Sequence, residues 1–376
     1  MSLYIDLTEF LTNPMTTGIQ RIAGEICKYL PPKRAIPIRL HEGRYVALSP
    51  KLIEAIGKFF RTASKSEVKA IRRLGEATSP LIEISGRDIV LVPEVIIELG
   101  RLAFFRAMPE HQLRRHRFIV YDLLPVTNPE YFWSGWLLEI CAYYKILRRA
   151  TCCGFISEDT RDAFYGRLKR TNARGGVVLP LGSDALGPRP NRPVLNRPLE
   201  FSVLGTIEPR KNHQLILQAF EPLLREIKGL SLSFIGKMGW VDSRFEEKVR
   251  LLAANNDSRF RFFSASGDDE IRKCIEQSRA TIYVSTAEGY GLPPVESLWA
   301  GTPVIASTTI PSLKALGPGG IHFVETLNAE SLRDAVLAFV DDTYANQKTD
   351  ETFALELPTW RSFTQQVLHW CSQEPI

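Results

Sequence analysis

The chain has 376 residues, of which 44% are hydrophobic and 24% charged, with a net charge of +5. That balance suits a globular protein of two domains, each long enough to bury its own core, and it excludes fibrous and low-complexity classes. No uninterrupted apolar run approaches the ~18 residues that a membrane span needs.

Met1 to Glu9 carries acidic residues where a signal peptide would be basic and then apolar, so no targeting segment is expected. Cys27, Cys141, Cys152, Cys153, Cys274 and Cys371 have no metal-site or redox-motif spacing. They read as reduced thiols of a cytoplasmic protein.

Short β-branched runs alternate with amphipathic stretches from end to end. Strands are expected at 2–7, 35–40, 88–93, 117–122, 151–156 and 176–181, with helices at 19–30, 50–61, 132–149 and 158–169. After a break, strands are expected at 199–204, 230–235, 259–263, 280–285, 303–306 and 321–324. Helices at 213–227, 245–254, 268–278, 294–300 and 329–341 separate them. Such alternation implies parallel sheets with right-handed crossovers.

The break is Gly187-Pro188-Arg189-Pro190-Asn191-Arg192-Pro193, closed by Pro198, which can continue neither a helix nor a strand. The expected organisation is therefore α/β. A Rossmann-like domain over 1–185, a linker over 186–197 and a second Rossmann-like domain over 198–357 face each other across a cleft, hinged near 183–198. The apolar pattern of Trp360, Phe363, Val367, Leu368 and Trp370 predicts a packed C-terminal helix, with 358–376 crossing back to the first domain.

Charge is uneven. Residues 1–185 hold 27 Lys and Arg against 19 Asp and Glu, whereas 186–376 hold 20 against 23. Two basic stretches, Lys58–Arg73 and Arg101–Arg117, are interleaved with Phe59, Phe60, Phe104 and Phe105. They suit peripheral docking on an anionic membrane or a phosphate-bearing lipid acceptor; solvated helix faces are the alternative. No nucleic-acid recognition motif is present.

The segment carrying the clearest chemistry runs from Ser285 to Ser297, between the strands expected at 280–285 and 303–306. Gly289 and Gly291 flank Tyr290, so the backbone can turn tightly and approach a ligand. Pro293 or Pro294 opens a helix whose N-terminal amides favour a diphosphate. Glu288 on the loop and Glu296 near the first turn can face one pocket and accept hydrogen bonds from sugar hydroxyls. A second segment, Gly205 to His213, follows a strand and carries Arg210 and Lys211. Adjacent cations there can neutralise a leaving diphosphate as its charge develops.

Glu288 to Glu296, with Tyr290 in a GFGLP-like context, resembles the Glu-x7-Glu signature of the retaining family 4 glycosyltransferases of GT-B fold. The resemblance implies that Glu288 and the backbone of Gly289–Leu292 hold the donor sugar. It implies further that Glu296 takes the ribose hydroxyls, and that Arg210 and Lys211 contact the diphosphate. Thr16-Thr17-Gly18-Ile19-Gln20-Arg21 looks like a segment of mannosyl- and rhamnosyl-transferase-like members that build bacterial surface polysaccharides, with Gly18 in a phosphate-facing loop. Tyr121-Asp122-Leu123 resembles a family segment that often reads His-Asp-Leu. Asp122 then contacts donor sugar or acceptor, or else caps a buried turn. Where the family commonly has Pro-Glu-Val, this chain has Ser312-Leu313-Lys314.

The implied activity is transfer of a hexose from a nucleotide sugar, with GDP-mannose or a deoxyhexose donor favoured, to a saccharide or lipid-linked saccharide at the cytoplasmic membrane face. Anomeric configuration would be retained, with Arg210, Lys211, Glu288 and Asp122 as the catalytic group. The six histidines form no ligand cluster and no Asp-x-Asp triplet occurs. The reaction is thus expected to need neither metal nor cofactor, the nucleotide sugar being a substrate. The alternatives are a non-catalytic nucleotide-sugar binder and an epimerase of the same fold.

Overall fold

The computed structural model describes residues 2–15, 17–30, 35–62, 64–76, 80–169, 175–255, 259–263 and 267–373. The chain forms two compact units, one of residues 1–182 with 358–376 and the other of 183–357.

The first unit is built on an eight-stranded sheet. Its strands are β1 (Leu3–Asp6), β2 (Ala35–His41), β3 (Arg44–Ala47), β4 (Leu81–Ile82), β5 (Ile89–Val92), β6 (His116–Val120), β7 (Cys153–Phe155) and β8 (Val177–Val178). The spatial order is β4-β3-β2-β1-β5-β6-β7-β8. β2, β1 and β5 to β8 are parallel, and β3 and β4 add an antiparallel edge. β1, β5 and β6 are buried at every position because helices cover both faces.

The hairpin to β3 was not expected from periodicity. It turns at Glu42 and Gly43, both at positive φ, where glycine is at ease and glutamate is not. The helices Lys65–Glu76 and Leu99–Ala107 also lie outside the expected set. Lys65–Glu76 is dominated by charged residues, and Leu99–Ala107 is a short, largely apolar run, so neither stands out by composition as an amphipathic helix.

In the basic, Phe-containing stretches, Lys58, Arg61, Lys65, Arg72 and Arg73 are exposed while most of the aromatic rings are not. Phe59, Phe60 and Phe105 are core residues, and Arg101 and Arg117 are buried. Phe59, Phe60 and Phe105 lie on the inward faces of their helices, and Phe104 packs half-buried against the same core. Among the described residues no helix is long and apolar enough to cross a membrane.

The second unit is a six-stranded parallel sheet of β9 (Glu200–Leu204), β10 (Ser231–Ile235), β11 (Phe260–Phe263), β12 (Ala280–Tyr283), β13 (Val304–Ser307) and β14 (Ile321–Val324). Its order, β11-β10-β9-β12-β13-β14, is that of a dinucleotide-binding sheet. Phe201, Phe220, Phe234 and Phe339 anchor its core.

The Pro-rich segment expected as a linker is tied to this unit. Arg272 donates to the carbonyls of Leu186 and Pro188, the Trp299 indole donates to Gly187, and Arg189 donates to Leu355 and Thr352. Proline lacks the N–H that a regular element needs, yet its carbonyls still accept bonds, so the segment packs as an irregular strap.

Candidate donor site

In the second unit the order of strands reverses between β9 and β12, and the loops leaving their carboxyl ends therefore lie side by side. Ligands of open parallel sheets bind at such a switch point. The β9 loop leaves through Gly205 (φ +127°), and a Cβ there would come within 2.5 Å of Lys211 Nζ. Glycine thus lets the ammonium lie over the strand end. The loop continues through Ile207, which bridges to Met238, into a 3-10 turn over Pro209–Lys211 and the helix His213–Glu226.

The β12 loop ends at Gly291 (φ +93°), which caps the helix Leu292–Trp299. A side chain at Gly291 would meet the Ile310 methyl at 2.4 Å as well as adopting a left-handed backbone. Ser312 closes this corner: its N–H donates to the Tyr290 carbonyl at 2.9 Å and its hydroxyl to the Gly291 carbonyl at 2.9 Å. In the stretch that lacks the family's Pro-Glu-Val, Ser312 braces the loop. Ser307 and Thr309 both donate to the Ser285 carbonyl, at 2.6 and 2.7 Å.

The two loops are stitched together through Arg210. Its carbonyl accepts from the Thr286 N–H at 2.8 Å, and its guanidinium donates to the Ala287 carbonyl at 2.9 Å. The same guanidinium pairs with Glu208 at 2.7 Å and with Glu288 at 2.5 Å. Lys211 lies 4.0 Å from Glu288, whose carboxylate also accepts from the Ser285 hydroxyl at 2.9 Å.

Burial pushes the Glu288 carboxyl up. The charges of Arg210 and Lys211 and the bonds from Arg210 and Ser285 outweigh burial and hold it below its ordinary value. Glu296 is buried on the helix that Gly291 caps. Burial first, and then the charge of Glu296, keeps the Tyr283 phenol well above its usual range.

A small pocket is lined by Leu204, Lys211, Ser285, Glu288, Gly291 and Pro294. Its chemistry combines an ammonium, a carboxylate and the open N-terminus of a helix.

Of the residues singled out from sequence, Arg210, Lys211, Glu288, Gly289, Tyr290, Gly291, Leu292 and Glu296 all belong to these two loops and the helix after them. Gly18 and Asp122 belong to the first unit. Gly18 is exposed and opens the helix Gly18–Tyr29, whose N-cap Thr17 accepts from the Gln20 N–H. A short helix, Thr8–Thr12, separates it from β1, and Thr16 of the same motif lies outside the described residues. Asp122 accepts from the Leu124 N–H at 3.2 Å, the turn-capping geometry that was its alternative reading. Tyr121 is buried and its hydroxyl donates to the Pro93 carbonyl, so it offers nothing to a ligand.

Sequence reasoning missed Glu208, Ser285 and Ser312. Glu208 sits two residues before Arg210, but nothing in a Glu-Pro-Arg string shows that the carboxylate folds back onto the guanidinium. It also missed a buried ion cluster at the switch point of the first sheet, between β1 and β5. There Arg101 pairs with Asp6 at 2.6 Å and Glu9 at 3.2 Å, and Glu94 is buried nearby.

Residues 191–353 match the family model described as glycosyl transferases group 1. A serotype-specific mannosyltransferase, WbdA, of Escherichia coli is 30% identical over 331 residues, covering 81% of this chain and 38% of the relative. The O-antigen chain mannosyltransferase B of Escherichia coli is 27% identical over 148 residues, covering 36% of this chain and 38% of the relative. The chain thus spans less than half the length of these curated relatives.

Among solved structures, Anabaena Alr3699/HepE in complex with UDP-glucose superposes with a TM-score of 0.65 at 14% identity, covering 98% of each chain. WaaG, a glycosyltransferase involved in lipopolysaccharide biosynthesis, superposes at 0.61 and 13% identity, covering 98% of this chain and 99% of WaaG. The fold is GT-B.

Proposed function

We propose that this chain, whose residues 191–353 match the family model of glycosyl transferases group 1, is a retaining hexosyltransferase that takes its sugar from a nucleotide-sugar donor held by the second unit. The observation that carries this reading is the set of groups at the β9/β12 switch point. Arg210, Lys211 and the N-terminus of the helix Leu292–Trp299 offer positive charge, and Glu288 and Glu296 offer acceptors for hydroxyls. Mannosyltransferase relatives favour a mannose or deoxyhexose donor, with GDP-mannose first, and an acceptor that is a growing surface saccharide or its lipid-linked form.

In this reading the acceptor hydroxyl attacks the anomeric carbon on the face from which the diphosphate leaves, and its proton passes to the departing phosphate oxygen. Arg210 and Lys211 neutralise that leaving group without a metal ion. Glu288, kept ionised by its cations, accepts from sugar hydroxyls and orients the ring, so catalysis rests on positioning and on electrostatics.

The test is thermal stabilisation of the protein by GDP-, UDP- and dTDP-sugars, repeated with Glu296→Ala. A donor at 100 times its dissociation constant adds about 2.7 kcal/mol. We expect one nucleotide class to stabilise the parent and to lose its effect in the variant. Stabilisation by none of them would overturn the donor site.

A further inference from the structure

We propose that Glu208 is a positioning residue of the donor site. It holds one edge of the Arg210 guanidinium, so that the other edge can exchange Glu288 for the donor's diphosphate. The inference rests on the donor-site reading above and adds to it a residue to which the sequence reading gave no role.

Glu208, Arg210, Lys211 and Glu288 form one cluster of two carboxylates and two cations, which is formally neutral. A site that presents no net positive charge is poorly prepared for a diphosphate unless some of that pairing is released on binding. The two carboxylates are not equivalent in this respect. Glu208 lies on the same loop as Arg210, two residues away, is buried, and pairs with Nη2. Glu288 comes from the β12 loop, lines the pocket and pairs with Nη1.

A guanidinium is a planar fork whose two edges bind separate acceptors, so Nη1 can change partner while Nη2 keeps its own. When a phosphate oxygen takes the place of Glu288 on Nη1, the Glu288 carboxylate is released. It is then free to accept from a sugar hydroxyl. Without Glu208 the guanidinium keeps its Nη1 contacts to the Ala287 carbonyl and Glu288 but loses the Nη2 contact that sets its rotation about them, so it meets the phosphate in a less defined orientation. Glu208 therefore acts through Arg210, without touching the ligand itself.

The experiment compares nucleoside diphosphates with monophosphates, GDP against GMP and UDP against UDP's monophosphate, UMP, by calorimetric titration. It uses the parent, Glu208→Gln, Arg210→Ala and the double variant. The parent is expected to bind the diphosphate at least tenfold more tightly than the monophosphate. In Glu208→Gln the monophosphate affinity should stay within about twofold of the parent, and the diphosphate preference should collapse by about tenfold. The double variant should match Arg210→Ala alone, because residues that act as one unit are not additive. Glu208→Asp, which keeps the charge on a shorter arm, should recover part of the preference.

A loop that had simply collapsed would weaken monophosphate and diphosphate alike, and that result overturns the proposal. So do additive effects in the double variant, and so does a Glu208→Gln protein that keeps the parent's preference. If the unaltered protein binds none of these nucleotides, the donor-site reading falls and the clamp falls with it. If the parent binds and Glu208→Gln matches it, the clamp alone falls.

Discussion

Glu94 and Glu288 show how differently two buried carboxyls can be treated in one chain. Glu288 has cations and a hydroxyl around it and stays ionised. Glu94 is pushed up to about 8, by burial first and then by the charges of Asp6 and Glu9, which Arg101 and the Phe10 N–H only partly offset. A folded-state value above the unfolded one means that the fold favours the protonated form. The associated stability is complete below the ordinary carboxylate range and drains away as pH rises through about 8. Glu94→Gln keeps the shape and removes the titration. The expected outcome is a variant that outlasts the parent at pH 9 by about 1–3 kcal/mol, the usual cost of an unsatisfied buried polar group, with a smaller difference at pH 6. Urea unfolding at the two pH values checks this, and parallel losses in the two proteins would count against it.

At the scale of elements, the helix Trp360–Ser372 shows how a terminal segment becomes part of a distant core. Thr359 and Ser362 form a reciprocal capping box, so the helix starts at a defined residue. Trp360, Phe363 and Val367 are fully buried, and the helix packs on Gly18–Tyr29 of the same unit. Gly182 makes room for it, since a Cβ there would fall 2.2 Å from the Trp360 N. Arg117, itself buried, donates to the Gln373 carbonyl at 2.9 Å and ties down the far end. Trp360→Ala should therefore cost about 3–5 kcal/mol, as deletion of a buried aromatic does. Chemical denaturation would show it as a lower midpoint, and a loss below about 1 kcal/mol would mean that the helix is only loosely seated.

At the scale of the whole molecule, the groups gathered at the β9/β12 switch point, Arg210, Lys211, Glu288 and Glu296, all belong to 183–357, a unit with its own sheet and its own aromatic core. That segment expressed alone should fold and be stabilised by the same nucleotide class as the full chain. Circular dichroism and thermal shift would check both halves of the statement, and a disordered fragment would refute it. The matching experiment on 1–182 alone should fail, because it lacks the Trp360 helix.

Much of this organisation was legible in the residues themselves. β9 to β14 and the helices between them fall within a few residues of the expected spans, because strands covered on both faces read as apolar runs and their crossovers as amphipathic periods. The donor loops were legible for a related reason. Gly205, Gly291 and the Arg210-Lys211 pair are local requirements of a tight turn and of anion chemistry, and local requirements leave local marks. The hairpin at Glu42 and Gly43, the short edge strand β4 and the packing of the Pro-rich segment onto the second unit left no such mark, since each is defined by what it pairs with and not by its own pattern. The same holds for charge. Sequence alone determined that two cations, Arg210 and Lys211, and two carboxylates, Glu288 and Glu296, would stand on or just after two glycine-containing loops. Only the tertiary structure decided that Arg210 is shared between Glu208 and Glu288, that Arg101 is a buried partner of Asp6 and not a surface cation, and that Glu94 keeps its proton, because pairing and desolvation depend on neighbours that are distant in the chain and close in space.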